Sequence, residues 1–312
     1  MNFKKLALIV ALCLLGVAGS LIFIRDHVIE KTEFIPDLTD LTKNYMAEDE
    51  IKAAIEVRKA ADIKPVEVIT NLLDGTPRIA LIFDGMPERP MVAKLLDVLK
   101  KHHAEAVFFL EGENVADEPE VIKLIRAEGQ EVGNYTYVGL SALEKRTADE
   151  QIREICRTQK VITMHDSLAP TLFRAPHTVF TDDLLKSVRA SGLEYAVKEN
   201  VRYNPGNIQN QAQANAYAAS VRNGSIIAIP TNRPVEQKAS APVVLDEKPA
   251  VDMKPTIKDN NAAVLPPKED LSVELDMVLT AFDARGVKAV FVNQFRKIHY
   301  IPAGLTVKNP GK

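Results

Sequence analysis

The chain has 312 residues, 46% hydrophobic and 26% charged, with a net charge of −3. That length allows one large domain or two small ones, and the composition is that of a globular protein. The near balance of charge gives no bulk attraction to nucleic acid or to an acidic glycan, and the two cysteines, Cys13 and Cys156, support neither an intrachain disulfide nor a cysteine-based zinc site.

Lys4 and Lys5 precede Leu6 to Ile24, nineteen residues without a charge. This length suits a membrane-spanning helix and exceeds the apolar core of most cleaved signal peptides. The rival reading is cleavage after Ala18 or Ser20, which would leave Leu21-Ile22-Phe23-Ile24 at the new terminus. The expectation is a cytoplasmic tail over 1–5 and a single-pass anchor over 6–24 in the cell membrane. The bulk of the chain then lies on the extracytoplasmic side. Residues 25–75 read as a stalk with one helix over 46–61, where Ile51, Ala54 and Ile55 recur among charges.

Dense patterning begins at Arg78. Buried strands are expected over 79–83 and 104–110, separated by a helix over 90–101 with Val92, Leu95, Leu96 and Leu99 on one face and proline at its start. A helix over 118–128 stops at Gly129, and a longer one over 147–164 carries a capping box, Thr147 with Glu150. Short strands at 172–174, 195–197 and 225–229 flank a helix over 182–190. A last helix over 271–285 precedes a strand over 289–292. Alternating strands and helices imply a parallel α/β sheet covered on its faces. Residues 231–270 break the rhythm with six prolines, at 234, 242, 249, 255, 266 and 267. They read as a long insertion, either a docking arm or a tolerated surface loop. Residues 303–312 form a tail.

Five segments carry a resemblance, in order: Ala80-Leu81-Ile82-Phe83-Asp84, Ala106-Val107-Phe108-Phe109-Leu110-Glu111-Gly112, Gly129-Gln130-Glu131-Val132-Gly133-Asn134, Phe173-Arg174-Ala175-Pro176 and Gly224-Ser225-Ile226-Ile227. Together they resemble the polysaccharide deacetylases, carbohydrate esterase family 4 with its NodB-homology domain. The resemblance implies one domain over 76–302 with the architecture of a distorted (β/α)7-type barrel and a site at the C-terminal strand ends. It also implies deacetylation of a polysaccharide, a hydrolysis of a carbon–nitrogen bond outside peptides. In the family a divalent metal, typically zinc, is held by one aspartate and two histidines, and a second aspartate oriented by an arginine acts as base.

Mapped onto this chain, Asp84 matches the base and Arg174 the arginine. The metal aspartate position is Gly85, the two histidine positions are Tyr135 and Gly139, and the position of the general-acid histidine is Pro230. Glycine and proline side chains neither bind metal nor transfer protons, so no metal cofactor is expected. The remaining candidates for binding are Tyr135, Tyr137, His177 and Glu111. Tyr135 reads either as a sugar platform or as a filler of the emptied metal space. Three functions stay open. One is a membrane-anchored pseudoenzyme that binds a cell-envelope polysaccharide, peptidoglycan or an envelope protein. Another is a divergent active hydrolase built on Asp84 and His177. The third is a scaffold whose 231–270 arm or stalk recruits envelope machinery.

Overall fold

A run of apolar residues without polar alternation needs cover on both faces of its strand. Ile79-Ala80-Leu81-Ile82-Phe83 has that cover. The computed structural model describes residues 46–72, 74–166, 168–231 and 270–295, and in it this run is strand β2 (Arg78–Asp84), buried from Ile79 to Asp84. The expected anchor over 6–24, the tail over 303–312, Cys13, His27, His299 and all but the two end residues of 231–270 lie outside the described residues. No described helix is long and apolar enough to cross a membrane.

Helix α1 (Glu48–Arg58) and strand β1 (Glu67–Ile69) precede β2. After it come α2 (Arg89–Lys101), β3 (Ala106–Leu110), α3 (Gly112–Asp117), α4 (Glu120–Ala127), β4 (Glu131–Asn134), α5 (Ala148–His165) and β5 (Leu172–Phe173). The chain continues through α6 (Asp182–Ala190), β6 (Tyr195–Val197), β7 (Val201–Arg202), α7 (Gln211–Ser220), β8 (Ile226–Pro230), α8 (Leu271–Ala284) and β9 (Lys288–Ala289). The strands run in the order β1-β6-β5-β4-β3-β2-β8-β7, with every pairing parallel. On one edge β2 pairs with β8 through Ala80 to Asp84, and on the other with β9 through Arg78 and Ile79 and then with β3 through Leu81 to Asp84.

The sheet curls. Ile69 of β1, Ala80 and Ile82 of β2, Phe109 of β3, Val197 of β6 and Ala228 of β8 meet in one interior cluster. Strands that far apart in the order share a core only when the sheet bends around it. Closure into a full barrel, the expectation above, is not reached among the described residues, because no pairing joins β1 to β7. The edge strands are short, three residues in β1 and two in β7. The fold is a parallel half-barrel, plugged at the N-terminal ends of the strands by Val292 and Phe295, which join the same cluster, with the Phe295 ring under Arg78 at the start of β2.

The plug explains one difference from the expected elements. The strand expected over 289–292 ends at Ala289, and residues 292–295 form a 3-10 turn. The Phe291 N–H donates to the Glu105 carboxylate at 3.0 Å instead of continuing a ladder. Helix α1 and strand β1 fall in the segment read as a stalk, yet both belong to the compact unit that begins at Ala47. Ile51 and Ala54 of α1 pack on Ile152 and Cys156 of α5. Helix α7 was not visible in the sequence, since its Gln-, Ala- and Asn-rich run has no apolar stripe.

The helices follow their sequence signals. Pro90 opens α2, and Val92, Leu95, Leu96 and Leu99 form its buried face. The box at the start of α5 is complete: Glu150 N donates to Thr147 Oγ1 at 3.3 Å, and Thr147 N donates to Glu150 Oε2 at 2.9 Å. Inside the sheet the fit is tight at Gly133, where a Cβ would lie 2.5 Å from the Phe109 ring. That ring is fully buried and has no free direction to move. Gly133→Ala is expected to destabilise the protein by about 1–3 kcal/mol, the usual cost of overpacking a core, as read from urea unfolding.

Candidate functional site

Side chains alternate between the two faces of a strand, so residues two apart point the same way. Ala80 and Ile82 face the interior, and the next residue of that parity is Asp84. The same count runs from Val107 and Phe109 to Glu111, from Leu172 to Arg174, and from Val197 to Glu199. Strand parity therefore brings Asp84, Glu111, Tyr135, Arg174 and Glu199 to the C-terminal mouth of the half-barrel. In parallel α/β folds this is the end at which sites are built.

Arg174 organises the mouth. Its Nε donates to Asp84 Oδ1 at 2.6 Å and its Nη2 to Asp84 Oδ2 at 2.9 Å, a two-pronged contact. Its Nη1 donates to Glu199 Oε2 at 2.6 Å and to the Val197 carbonyl at 3.2 Å. Asp84 and Arg174 are 2% and 4% exposed, so this is a buried ion pair. Two effects oppose each other on Asp84. Burial favours the neutral acid and is the larger, raising the carboxyl above the usual range, while the Arg174 fork pulls it down. Glu199 is half-buried, and its carboxyl is held below the usual range, burial being outweighed by Arg174. Burial works against the Arg174 charge, but the two carboxylates raise its pKa further and keep it cationic.

A cavity of ≈ 180 Å³ opens beside this pair. Asp84, Arg174 and Glu199 line it, together with His177, which is exposed at the rim and has a φ of 47°. Of the four candidate binding residues, His177 alone lines the cavity. Tyr135 is 2% exposed and packs in the interior cluster with Phe109 and Ile82. Burial, reinforced by Asp84, raises its phenol far above the usual range, so the hydroxyl stays protonated. Tyr137 turns away from the mouth: the Arg157 guanidinium of α5 stacks on its ring at 3.5 Å. Glu111 is also buried and away from the cavity. Its Oε2 accepts from Met86 N at 2.7 Å and from Asn114 Nδ2 at 3.1 Å, and burial raises its carboxyl.

The positions that correspond to metal ligands hold no donor that fits a catalytic metal. Gly85 has a φ of +89° and Gly139 one of +66°. Tyr135 is a core side chain with a protonated hydroxyl. The Glu111 side chain fills the intervening space, its Cγ 3.3 Å from where a Cβ on Gly139 would stand. No group of three or more His, Cys, Asp or Glu is arranged around a metal position among the described residues. A catalytic zinc ordinarily has three protein ligands in fixed geometry. The loop itself is nevertheless tightly tied. Thr136 sits at a φ of 64°, rare for a β-branched residue, with its N–H on Asn134 Oδ1 at 3.0 Å and its Oγ1 accepting from Leu140 N at 2.8 Å.

Sequence reasoning missed Glu199, Lys198 and Arg202, which all line the cavity. For Glu199 a signal was present, since it stands two residues beyond inward-facing Val197. Lys198 and Arg202 gave none, because exposed basic residues at the ends of short strands look like any solvated surface.

Removing Arg174 leaves the Asp84 charge buried without its partner. Arg174→Met is expected to cost about 3–5 kcal/mol at neutral pH by urea unfolding. The loss shrinks as pH falls and Asp84 becomes neutral in both proteins, because the raised carboxyl takes up its proton early. A deficit that stays constant down to acid pH contradicts this account.

Residues 74–196 match the family model for polysaccharide deacetylase. The chain is 32% identical over 171 residues to a chitooligosaccharide deacetylase from Sinorhizobium fredii, covering 53% of this chain and 77% of that protein. It is 36% identical over 108 residues to a peptidoglycan-N-acetylglucosamine deacetylase from Bacillus cereus, covering 35% of this chain but only 39% of the relative. Among solved structures, a CE4 family pseudoenzyme from Bacillus anthracis shares the fold with a TM-score of 0.55 at 17% identity, covering 75% of this chain and 70% of that one. The peptidoglycan deacetylase PdaC from Bacillus subtilis does so with a TM-score of 0.51 at 22% identity, covering 70% and 89%. These likenesses and the strand-end arrangement of Asp84 and Arg174 agree: the chain belongs to the polysaccharide deacetylase family.

Proposed function

We propose that this protein is a membrane-anchored pseudoenzyme of the cell envelope, which binds a polysaccharide such as peptidoglycan and removes no acetyl groups from it. The observation that carries the reading is the joint replacement of cooperating groups. Gly85, Tyr135 and Gly139 stand at the metal-ligand positions and Pro230 at that of the acid, while Asp84 is engaged by both prongs of Arg174. Catalysis in this family needs metal, base and acid together. A base already tied to arginine, with no metal ligands around it, has no activated water to deprotonate.

The choice of ligand follows the relatives, whose names place their own action on chitooligosaccharides and peptidoglycan. The reading is supported by the shared fold and by the cavity at the strand ends beside Asp84 and Arg174. The anchor over 6–24 belongs to the same proposal and would hold the domain at the membrane surface. A divergent hydrolase remains the second reading, because Asp84 and His177 border one cavity.

The test uses the full chain in detergent with chitotetraose. Binding by calorimetry is expected to survive a chelator unchanged, with no acetate released above the uncatalysed background. Acetate release that a chelator abolishes would overturn the pseudoenzyme reading. Release that is chelator-insensitive but lost in Asp84→Asn would establish the hydrolase instead.

A further inference from the structure

We infer that the cavity at the strand ends selects an acidic saccharide, receiving one sugar carboxylate between Lys198 and Arg202. The inference rests on the glycan-binding reading above and names the class of glycan. Arg174 does not receive this carboxylate, since its guanidinium nitrogens are already engaged by Asp84, Glu199 and the Val197 carbonyl. Two further cations line the same cavity, Lys198 just after β6 and Arg202 at the end of β7. Both are exposed, and among the described residues neither makes an ion pair or a side-chain hydrogen bond. Their backbones are fixed: Lys198 N donates to the Ile69 carbonyl at 3.0 Å, and Arg202 is in register with Ala228 of β8. The two cations thus flank the opening from two separate strand ends.

The charge count points to an anion of one unit. Asp84, Glu199, Arg174, Lys198 and Arg202 line the cavity, three basic side chains against two acidic ones. A single carboxylate brings this lining to balance, whereas a neutral sugar leaves a cation there without a partner. The lining also has an apolar part, Pro176, Val179 and Phe180, with Val179 64% exposed. Apolar surface and two cations in one cavity suit a pyranose ring, which presents both a C–H face and a carboxylate. The competing role for Arg202 is internal, as a counter-charge to Glu199.

Calorimetry on the full chain separates these. The probes are a hyaluronan tetrasaccharide, its carboxyl-reduced form, and chitotetraose. The acidic tetrasaccharide is expected to bind about tenfold more tightly than its reduced form, the worth of one charge-assisted contact, and the preference should fall as salt is raised. Arg202→Gln and Lys198→Gln should each remove most of that preference, with the melting temperature unchanged. Equal affinity for the acidic and reduced forms, with chitotetraose still bound, would overturn the acidic-sugar inference and leave the glycan-binding reading standing. No binding of any probe would overturn both. A lowered melting temperature in Arg202→Gln with the preference intact would assign Arg202 to balancing Glu199 and overturn the inference.

Discussion

The mouth of this half-barrel is held by one cation. Arg174 leaves the end of β5 and reaches Asp84 at the end of β2, with β4 and β3 lying between them in the strand order. On its other side it holds Glu199 and the Val197 carbonyl beyond β6. The guanidinium therefore runs as a chord across the concave face, tying strands that share no ladder. A parallel sheet has no hairpins to hold its curvature, and here neither edge strand exceeds three residues. Burying one cation with a carboxylate at 2% exposure is costly in itself. The arrangement is stable because nearly every polar atom in it is paired, and it resists change because no member can be removed alone.

The same chord accounts for what the site does and does not offer. Gripped at both oxygens by Arg174, Asp84 serves as a structural strut across the mouth. The free polarity lies farther out, at Lys198, Arg202 and His177 around the cavity rim. Chemistry and recognition are thus separated in space. The strand ends keep the fold in register, and under the proposed reading the residues just beyond them are the ones a ligand meets. Fold and function make different demands on different residues.

The parallel α/β class and the long helices were legible because each rests on local, repeated signals, whereas the pairing of Asp84 with Arg174 was implied by the family resemblance. The run at 79–83, the stripe of α2 and the box at Thr147 each specify their element within a few residues. What was not legible depended on tertiary placement. Strand β1 is three residues long and exists only because β6 offers an edge. Tyr135 and Tyr137 are two residues apart and look equivalent in sequence, yet one is core and the other stacks on Arg157. Glu111 has the right parity for the mouth, but the Met86 N–H captures it before it reaches the cavity. Parity gives the face of a strand, and it does not give the distance a side chain reaches or the partner that intercepts it.

That interception bears on history. Glu111 braces the loop after β2 through Met86 and stands against Gly139, so it links the two segments that in the family's active members a shared metal would join. A histidine restored at 139 would meet the Glu111 side chain while adopting a φ of +66°. An aspartate restored at 85 would have to take a φ of +89° in a loop already bonded to Phe109 and Thr231. The first change is opposed by the Glu111 side chain and the second by the backbone conformation. Under the proposed pseudoenzyme reading, the path to a metal centre therefore runs through several simultaneous changes.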